Sequence, residues 1–592
     1  EGESGALDPG QPPRAAEVGR PETSRAAAAR AVLWQRLAPW LAWLALGLVL
    51  ELPALGLRGA LRPTGDVLVL ATGLLLAARL PRGRRQALAA CALLAGLLWL
   101  YRVHRVVFQQ AFGDEPLLYD QLYMARHLFV LFGDVWNAWV AAALVALVAV
   151  LWAIARAVRV LARVALRLAE PERWRTTARV LMAAWLLCIA GSVLPFGVKA
   201  SRRWVRWATP ALARNVARSI GMYERVERDI ARSPYRRYGS LALTRRPDIY
   251  LVMVESYGRV MIEHPKMQAA WRAQSAHMER TLTAAGWTAV SAFSEAPVLG
   301  GRSWLAEASV LMGARVRYEA VFRQLVAQIE RVPTLHSLLR AQGYHRVLLA
   351  PADRVRPGVE EADYYRYDRS VRFDDLRYRG PHVGWGIVPD QYSLGFFAKH
   401  VLPHVPQPRF VDFHMVSSHA PWRELPQLVD DFETLNRARG AAFVERDATQ
   451  VHRRLERYLH GKRFTYMGDL SDEVALRYRD AILYDLTVLE RHLATLEDDA
   501  LVILLGDHQP PFISTETASF DTPIHVLARD PELLRELSAH GFTPGLHLLP
   551  GQPAAVRHQG LFSLLARSLA RSSALPEERW PKYRAKGARF GD

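Results

Sequence analysis

The chain has 592 residues, 51% of them hydrophobic, with 76 basic against 58 acidic side chains and a formal net charge of +18. An aromatic content of 10% excludes a disordered or collagen-like chain, and two cysteines exclude a disulfide framework. The basic surplus would fit a nucleic-acid binder, but 17 tryptophans and the apolar fraction argue against one.

Residues 1–30, rich in Ala, Arg and Pro, read as a disordered tail. Five apolar runs follow, at 33–55, 64–80, 87–107, 128–153 and 178–198. Crossing a ~30 Å hydrocarbon core takes ~20 residues, so the runs predict a five-helix transmembrane domain over 31–198. The first run is too long, and has too many successors, to be a cleavable signal peptide. Cys91 and Cys188 fall within such runs and read as small buried hydrophobes. With the N-terminus inside, fifteen arginines fall in internal segments (14–30, 79–85 and 156–179). Five fall outside: Arg58, Arg62, Arg102, Arg105 and Arg126. The positive-inside rule favours that orientation, and five spans then place everything after ~198 outside.

Residues 199–246 form a linker. Its first part interleaves Arg202, Arg203, Arg206, Arg214 and Arg218 with Trp204, Trp207, Ile220 and Met222. That pattern reads as an amphipathic helix lying on the membrane surface, against an ordinary linker helix packed on the soluble domain.

From 247 to about 570 the texture is α/β. Apolar strands are predicted at 248–254, 345–350, 410–416, 500–505 and 522–528, with helices at 303–312, 318–341 and 472–497. Strands that are apolar throughout and alternate with helices predict a mostly parallel, helix-covered sheet. Residues 571–592 read as a C-terminal tail. Ligands in such sheets bind at the carboxyl ends of strands, so the residues following each strand matter most.

Strand 248–254 runs into Glu255-Ser256-Tyr257-Gly258, and strand 500–505 into Gly506-Asp507-His508. Strand 410–416 runs into Ser417-Ser418-His419-Ala420-Pro421-Trp422, and a Gly300-Gly301-Arg302-Ser303 turn opens the helix at 303. Each fragment alone reads equally as a cap, a solvated carboxylate or a loop histidine. Together, Glu255, Asp507 and His508 offer carboxylate oxygens and an imidazole, a set suited to a divalent cation. Ser303, at a helix N-terminus, is placed to be activated by that cation and to attack a phosphate. His419 is suited to hold a phosphate oxygen or protonate a leaving alkoxide.

At these residues the chain resembles the alkaline-phosphatase/sulfatase superfamily, and within it the lipoteichoic acid synthase type of phosphoglycerol transferase. The motifs that carry the resemblance are VMVES, GGRS and GDH, and it spans roughly 33–570. The resemblance implies an N-terminal five-helix transmembrane bundle followed by an extracytoplasmic α/β sulfatase-like domain. It implies Glu255, Ser303, Asp507 and His508 as ligands of one metal ion, manganese with zinc or magnesium as alternatives. Ser303 would also be the nucleophile, where the family usually has threonine. His419 would contact substrate phosphate. Trp385-Gly386 with Asp390 resembles a further family segment. The family's Trp-Asn-Arg substrate motif has no clean match, and Asp353, Arg354 and Trp385 stand as substrate candidates. Formylglycine sulfatases are set aside because no x-Pro-x-Arg run follows Ser303. Two-metal phosphatases are set aside because no Asp-x-x-x-His ligand pair is found. Phosphoethanolamine transferases usually carry several disulfides in the outer domain, and this one has no cysteine.

The expected function is therefore metal-dependent transfer of a phosphoglycerol-type unit from a membrane phospholipid to a glycan or polymer hydroxyl through a Ser303 intermediate. The alternatives are a phosphodiesterase or sulfatase-like hydrolase on the same scaffold, or phosphoethanolamine transfer. A non-catalytic receptor is a more distant reading. The expected location is the bacterial cytoplasmic membrane, multi-pass, with the catalytic domain on the extracytoplasmic side. The lipid bilayer, and no nucleic acid, would be its partner.

Overall fold

The computed structural model describes residues 22–58, 64–78, 84–112, 115–123, 138–193, 207–354, 363–381, 388–420, 422, 425, 427–437, 472–497, 499–510 and 519–591. They divide into two units, one from residues 1–106 and 137–213, the other from 107–136 and 214–592.

The first unit is helical, with α1 (Glu22–Arg58), α2 (Asp66–Ala77), α3 (Arg84–Phe112), α4 (Ala138–Ala165) and α5 (Pro171–Val193). Among the described residues, two stretches are long and apolar enough to cross a membrane: 23 residues within α1 (29–51) and 19 within α3 (88–106). Two of the five expected spans are thus met among the described residues. The 12 residues of α2 cover only ~18 Å at 1.5 Å each, short of a ~30 Å hydrocarbon core. Helices α4 and α5 have the length, and their arginines lie toward one end: Arg156, Arg159 and Arg163 close the first, and Arg173, Arg175 and Arg179 open the second. The expected runs 128–153 and 178–198 extend beyond the described residues.

Arg102, expected in an external loop, instead lies within α3 and donates to Glu51, Thr64 and Asp66. Asp66 also accepts the backbone N–H groups of Ala208 (2.7 Å) and Thr209 (2.8 Å). Each charge is buried and paired, so Arg102 ties three helices together rather than adding free positive charge.

The second unit takes in residues 107–136, resumes at residue 214 within α6 (Thr209–Ser219), continues with α7 (Met222–Ala231) and is built on one nine-stranded sheet. Its strands are β1 (Asp248–Val254), β2 (Thr288–Glu295), β3 (His345–Ala350), β4 (Arg369–Arg372), β5 (Arg409–Met415), β6 (Ala500–Gly506), β7 (Asp521–Ala528), β8 (Thr543–Pro544) and β9 (Val556–Arg557). The order is β4-β3-β5-β1-β6-β7-β2-β8, with β9 beside β2. The first five are mutually parallel; β7 runs antiparallel to β6 and to β2. The parallel core matches the sequence expectation, whereas β2 and β4 were not expected.

All seven residues of β1 are buried, and they alternate between two apolar clusters. Ile249, Leu251 and Met253 face one cluster, and Tyr250, Val252 and Val254 the other. Period-two alternation with both faces covered is what a central parallel strand requires. Helices α8 (Pro265–Ala284) and α11 (Asp472–Thr495) cover the second cluster with Trp271, Tyr478 and Ile482. Helices α9 (Ser303–Met312) and α12 (His558–Ser572) cover the first.

Three boundaries shift. The expected single helix at 318–341 is interrupted between Val326 and Leu335, a stretch that contains Pro333, after which Thr334 and Ser337 form a capping box that starts Leu335–Ala341 afresh. In the linker, Met222, Val226 and Ile230 recur at helical spacing and are buried in the soluble core, so α7 packs on the domain rather than on lipid. Residues 199–206 of that stretch lie outside the described residues. Past 571, Ala588 and Phe590 join the same core, and Ala588 bridges Ala314.

Candidate functional site

Strands β5, β1 and β6 are neighbours and parallel, so their carboxyl ends emerge side by side. That adjacency brings together three loops separated by about a hundred residues or more. Tight turns hold them. Ser256 (φ 58°) and Arg302 (φ 68°) are in the left-handed region, as are Gly300 (φ 69°) and Gly301 (φ 138°). Non-glycine residues there are strained and are held by surrounding contacts. Ser256 is pinned by its N–H to Asp507 Oδ1 (2.8 Å), its hydroxyl to Glu255 Oε1 (2.8 Å) and its carbonyl, which accepts from Tyr478 (2.8 Å). At Gly506 an added Cβ would fall 1.9 Å from the Tyr257 carbonyl oxygen, so only glycine lets β6 pass the first loop.

Glu255, Asp507 and His508 are buried, with one ligand atom from each lying within 4.8 Å of the others. His508 Nε2 is 3.5 Å from Glu255 Oε1 and 3.3 Å from Asp507 Oδ2. Its other nitrogen donates to the Gln509 carbonyl (2.9 Å), which leaves the Nε2 lone pair facing the carboxylates. The same carbonyl accepts Gly300 N–H (3.0 Å) and ties the serine turn to this loop. Burial, reinforced by the charge of Glu255, holds Asp507 well above the usual carboxylate range. Burial also pushes Glu255 up, but His419, His508 and the hydroxyls of Ser256 and Ser303 outweigh it and leave Glu255 below its ordinary value. Burial lowers His508. Two crowded carboxylates and a neutral imidazole presenting its lone pair fit a divalent cation.

The Ser303 hydroxyl donates to Glu255 Oε2 (2.9 Å) and lies 3.3 Å from His508 Nε2. Ser303 is the first residue of α9, whose opening N–H groups carry the positive end of the helix dipole. A cavity of about 460 Å³ opens in front of it, lined among others by Glu255, Asp507, His419, Asp353 and Arg354. Arg354 sits over the Phe373 ring at 3.7 Å. His419 turns Nδ1 to the Ala420 carbonyl. Trp385 and Pro421 lie outside the described residues.

Behind the 416–419 loop lies a buried acid pair. Asp390, the first residue of α10 (Asp390–His400), accepts the N–H groups of Val416 (2.8 Å) and Ser417 (2.6 Å). Burial pushes Asp390 up to about 6 and Asp485 beside it well above the usual range. The pair anchors the loop that carries His419.

Sequence reading missed Glu307, Asp412, His414, Tyr365 and Tyr367. All but Asp412 line the cavity, and Asp412 adjoins it. Their signals were a glutamate one helical turn after Ser303 and two polar residues, two apart, in an otherwise apolar strand.

No family model matches the sequence, and no curated protein matches it. Solved structures similar to the chain include the lipoteichoic acid synthase LtaP from Listeria monocytogenes, of the type that the motifs resemble. It is 12% identical over 59% of this chain and 78% of that one, at a TM-score of 0.32. The soluble domain of lipooligosaccharide phosphoethanolamine transferase A from Neisseria meningitidis is 12% identical over 60% and 97%, at 0.35. The phosphonate monoester hydrolase of Agrobacterium radiobacter is 14% identical over 57% and 79%, at 0.32. Likenesses at these TM-scores carry no functional argument; the side chains of the site do.

Proposed function

We propose that the chain is a membrane-anchored, metal-dependent phosphotransferase. It moves a phosphoglycerol-type unit from a phospholipid to a hydroxyl of a glycan or polymer, through an ester on Ser303. One observation carries this reading: a serine hydroxyl at a helix N-terminus lies within hydrogen-bonding reach of both Glu255 and His508.

Glu255, Asp507 and His508 would hold a divalent ion, manganese or zinc by ligand type. Such an ion, when bound, neutralises phosphoryl oxygens and favours the ionised serine. The Ser303 hydroxyl, oriented by its hydrogen bond to Glu255, releases its proton to solvent through the open cavity as Oγ attacks phosphorus. The new Oγ–P bond forms as the bond from phosphorus to the diacylglycerol oxygen breaks. The departing alkoxide takes a proton from His419, which lines the same cavity. The N-terminal N–H groups of α9 face the charge that gathers on the phosphoryl oxygens. An acceptor hydroxyl then gives its proton to His419 and attacks phosphorus opposite Ser303 Oγ; the Oγ–P bond breaks, Oγ regains a proton from solvent, and the headgroup phosphate is left on the acceptor. Asp353, Arg354 and Trp385 are proposed to contact the headgroup. The donor lies in the bilayer, which α1 and α3 would cross, with catalysis on the extracytoplasmic face.

The test uses full-length protein in vesicles containing labelled phosphatidylglycerol. Wild type releases diacylglycerol, and Ser303→Ala does not; equal release by the variant would sink the covalent route. Release that rises with added acceptor identifies a transferase, and release unchanged by acceptor identifies the hydrolase.

A further inference from the structure

Glu307 lies four residues after Ser303 on α9, one helical turn further along and ~6 Å away by helical rise. It opens onto the same cavity as Ser303. Across from it, β5 presents Asp412 and His414, two residues apart and so on one face of the strand. We propose that Glu307, Asp412 and His414 form a second divalent-cation site in the cavity wall, distinct from the Glu255–Asp507–His508 centre.

One ligand atom from each of the three lies within 4.8 Å of the others. His414 Nε2 is 3.4 Å from Glu307 Oε2 and 3.5 Å from Asp412 Oδ1, close enough to share one ion but too long for direct hydrogen bonds. Two oxygens and one imidazole repeat the composition of the first centre and suit manganese or zinc. A positioned outer partner is present as well, since the Tyr367 hydroxyl donates to Asp412 Oδ2 (2.7 Å).

The independent sign of a missing ligand is unmatched polarity. Asp412 is fully buried, yet its Oδ1 has no hydrogen-bond partner. The Tyr365 hydroxyl, on a side chain 6% exposed that lines the cavity, also has none. Buried polar atoms without partners are costly, and a bound cation with its coordinated water would satisfy both.

The test is a metal count, read without turnover, so it stands or fails apart from the transferase reading. Full-length protein in detergent is stripped with chelator, equilibrated with excess manganese, freed of unbound ion and analysed by elemental mass spectrometry. Wild type is expected to hold two manganese ions per chain. Glu307→Gln and Asp412→Asn each hold one, Glu255→Gln holds one, and the Glu255→Gln/Glu307→Gln double variant holds none. Far-ultraviolet circular dichroism identifies any variant that fails to fold, and Glu307→Gln, on the partly open cavity wall, decides the matter if Asp412→Asn does. One ion per wild-type chain would overturn the proposal, as would two ions retained in Glu307→Gln.

Discussion

The Ser303 hydroxyl donates to Glu255 Oε2 at 2.9 Å although 48 residues separate the two in sequence. One residue follows the central strand of the sheet and the other begins a helix, so neither can move without displacing a rigid element. A nucleophile held in this way is positioned before substrate arrives.

Because the hydroxyl is the reacting group, Ser303→Thr should keep transfer within about tenfold, whereas Ser303→Ala should lower it by about 10³-fold or more, roughly 4 kcal/mol of transition-state stabilisation. The comparison is read as initial rates on labelled lipid, with thermal melts showing that both variants fold. Loss of activity in both variants alike would indicate a packing role for the position.

Removing the metal should destabilise the soluble unit. An ion at a hundred times its dissociation constant adds about 2.7 kcal/mol to the folded state. Chelator should therefore lower the unfolding midpoint, and manganese or zinc should restore it. In the Glu255→Gln/Glu307→Gln double variant the midpoint should no longer respond to either treatment.

The Asp390–Asp485 pair predicts a pH effect of definite sign. Asp390 binds its proton more tightly in the folded protein than in the unfolded chain, with a pKa of about 6. Its contribution is complete below the ordinary carboxylate range and is lost as pH rises through about 6. In Asp390→Asn, which mimics the protonated form and can still accept from Val416 and Ser417, urea midpoints between pH 4 and 7 should fall less steeply than in wild type. Identical slopes would contradict a raised Asp390 in the folded protein.

Gly506→Ala should cost about 1–3 kcal/mol, because its Cβ would meet the Tyr257 carbonyl and force β6 away from the Glu255 loop. Manganese affinity should fall with it. An unchanged midpoint and affinity would mean that the loop yields freely.

What was legible followed from apolar strands that end in chemistry. Strands β1 and β6 announced themselves by nearly unbroken apolar runs and β5 by its Phe and Val positions, and Glu255, Asp507 and His508 followed β1 and β6 directly. Strand β2 was hidden because its inward residues include Ser291 and Ser294, whose hydroxyls pair with His525 (2.7 Å) and His558 (2.8 Å) only in the folded sheet. The Glu307–Asp412–His414 group was hidden for a related reason. Each residue alone interrupts an apolar pattern, and only the packing of α9 near β5 makes the three one cluster. In the helical unit, run length was readable, but the burial of Arg102 against Glu51 and Asp66 was not, because the partners lie on three separate helices.

The most direct measurement is the mass of the Ser303 peptide after brief incubation of the full-length protein with phosphatidylglycerol and acid quenching. A covalent phosphoglycerol ester on Ser303 is the predicted result, absent in Ser303→Ala. An unmodified Ser303 peptide in protein that has demonstrably released diacylglycerol under the same quench would contradict the account.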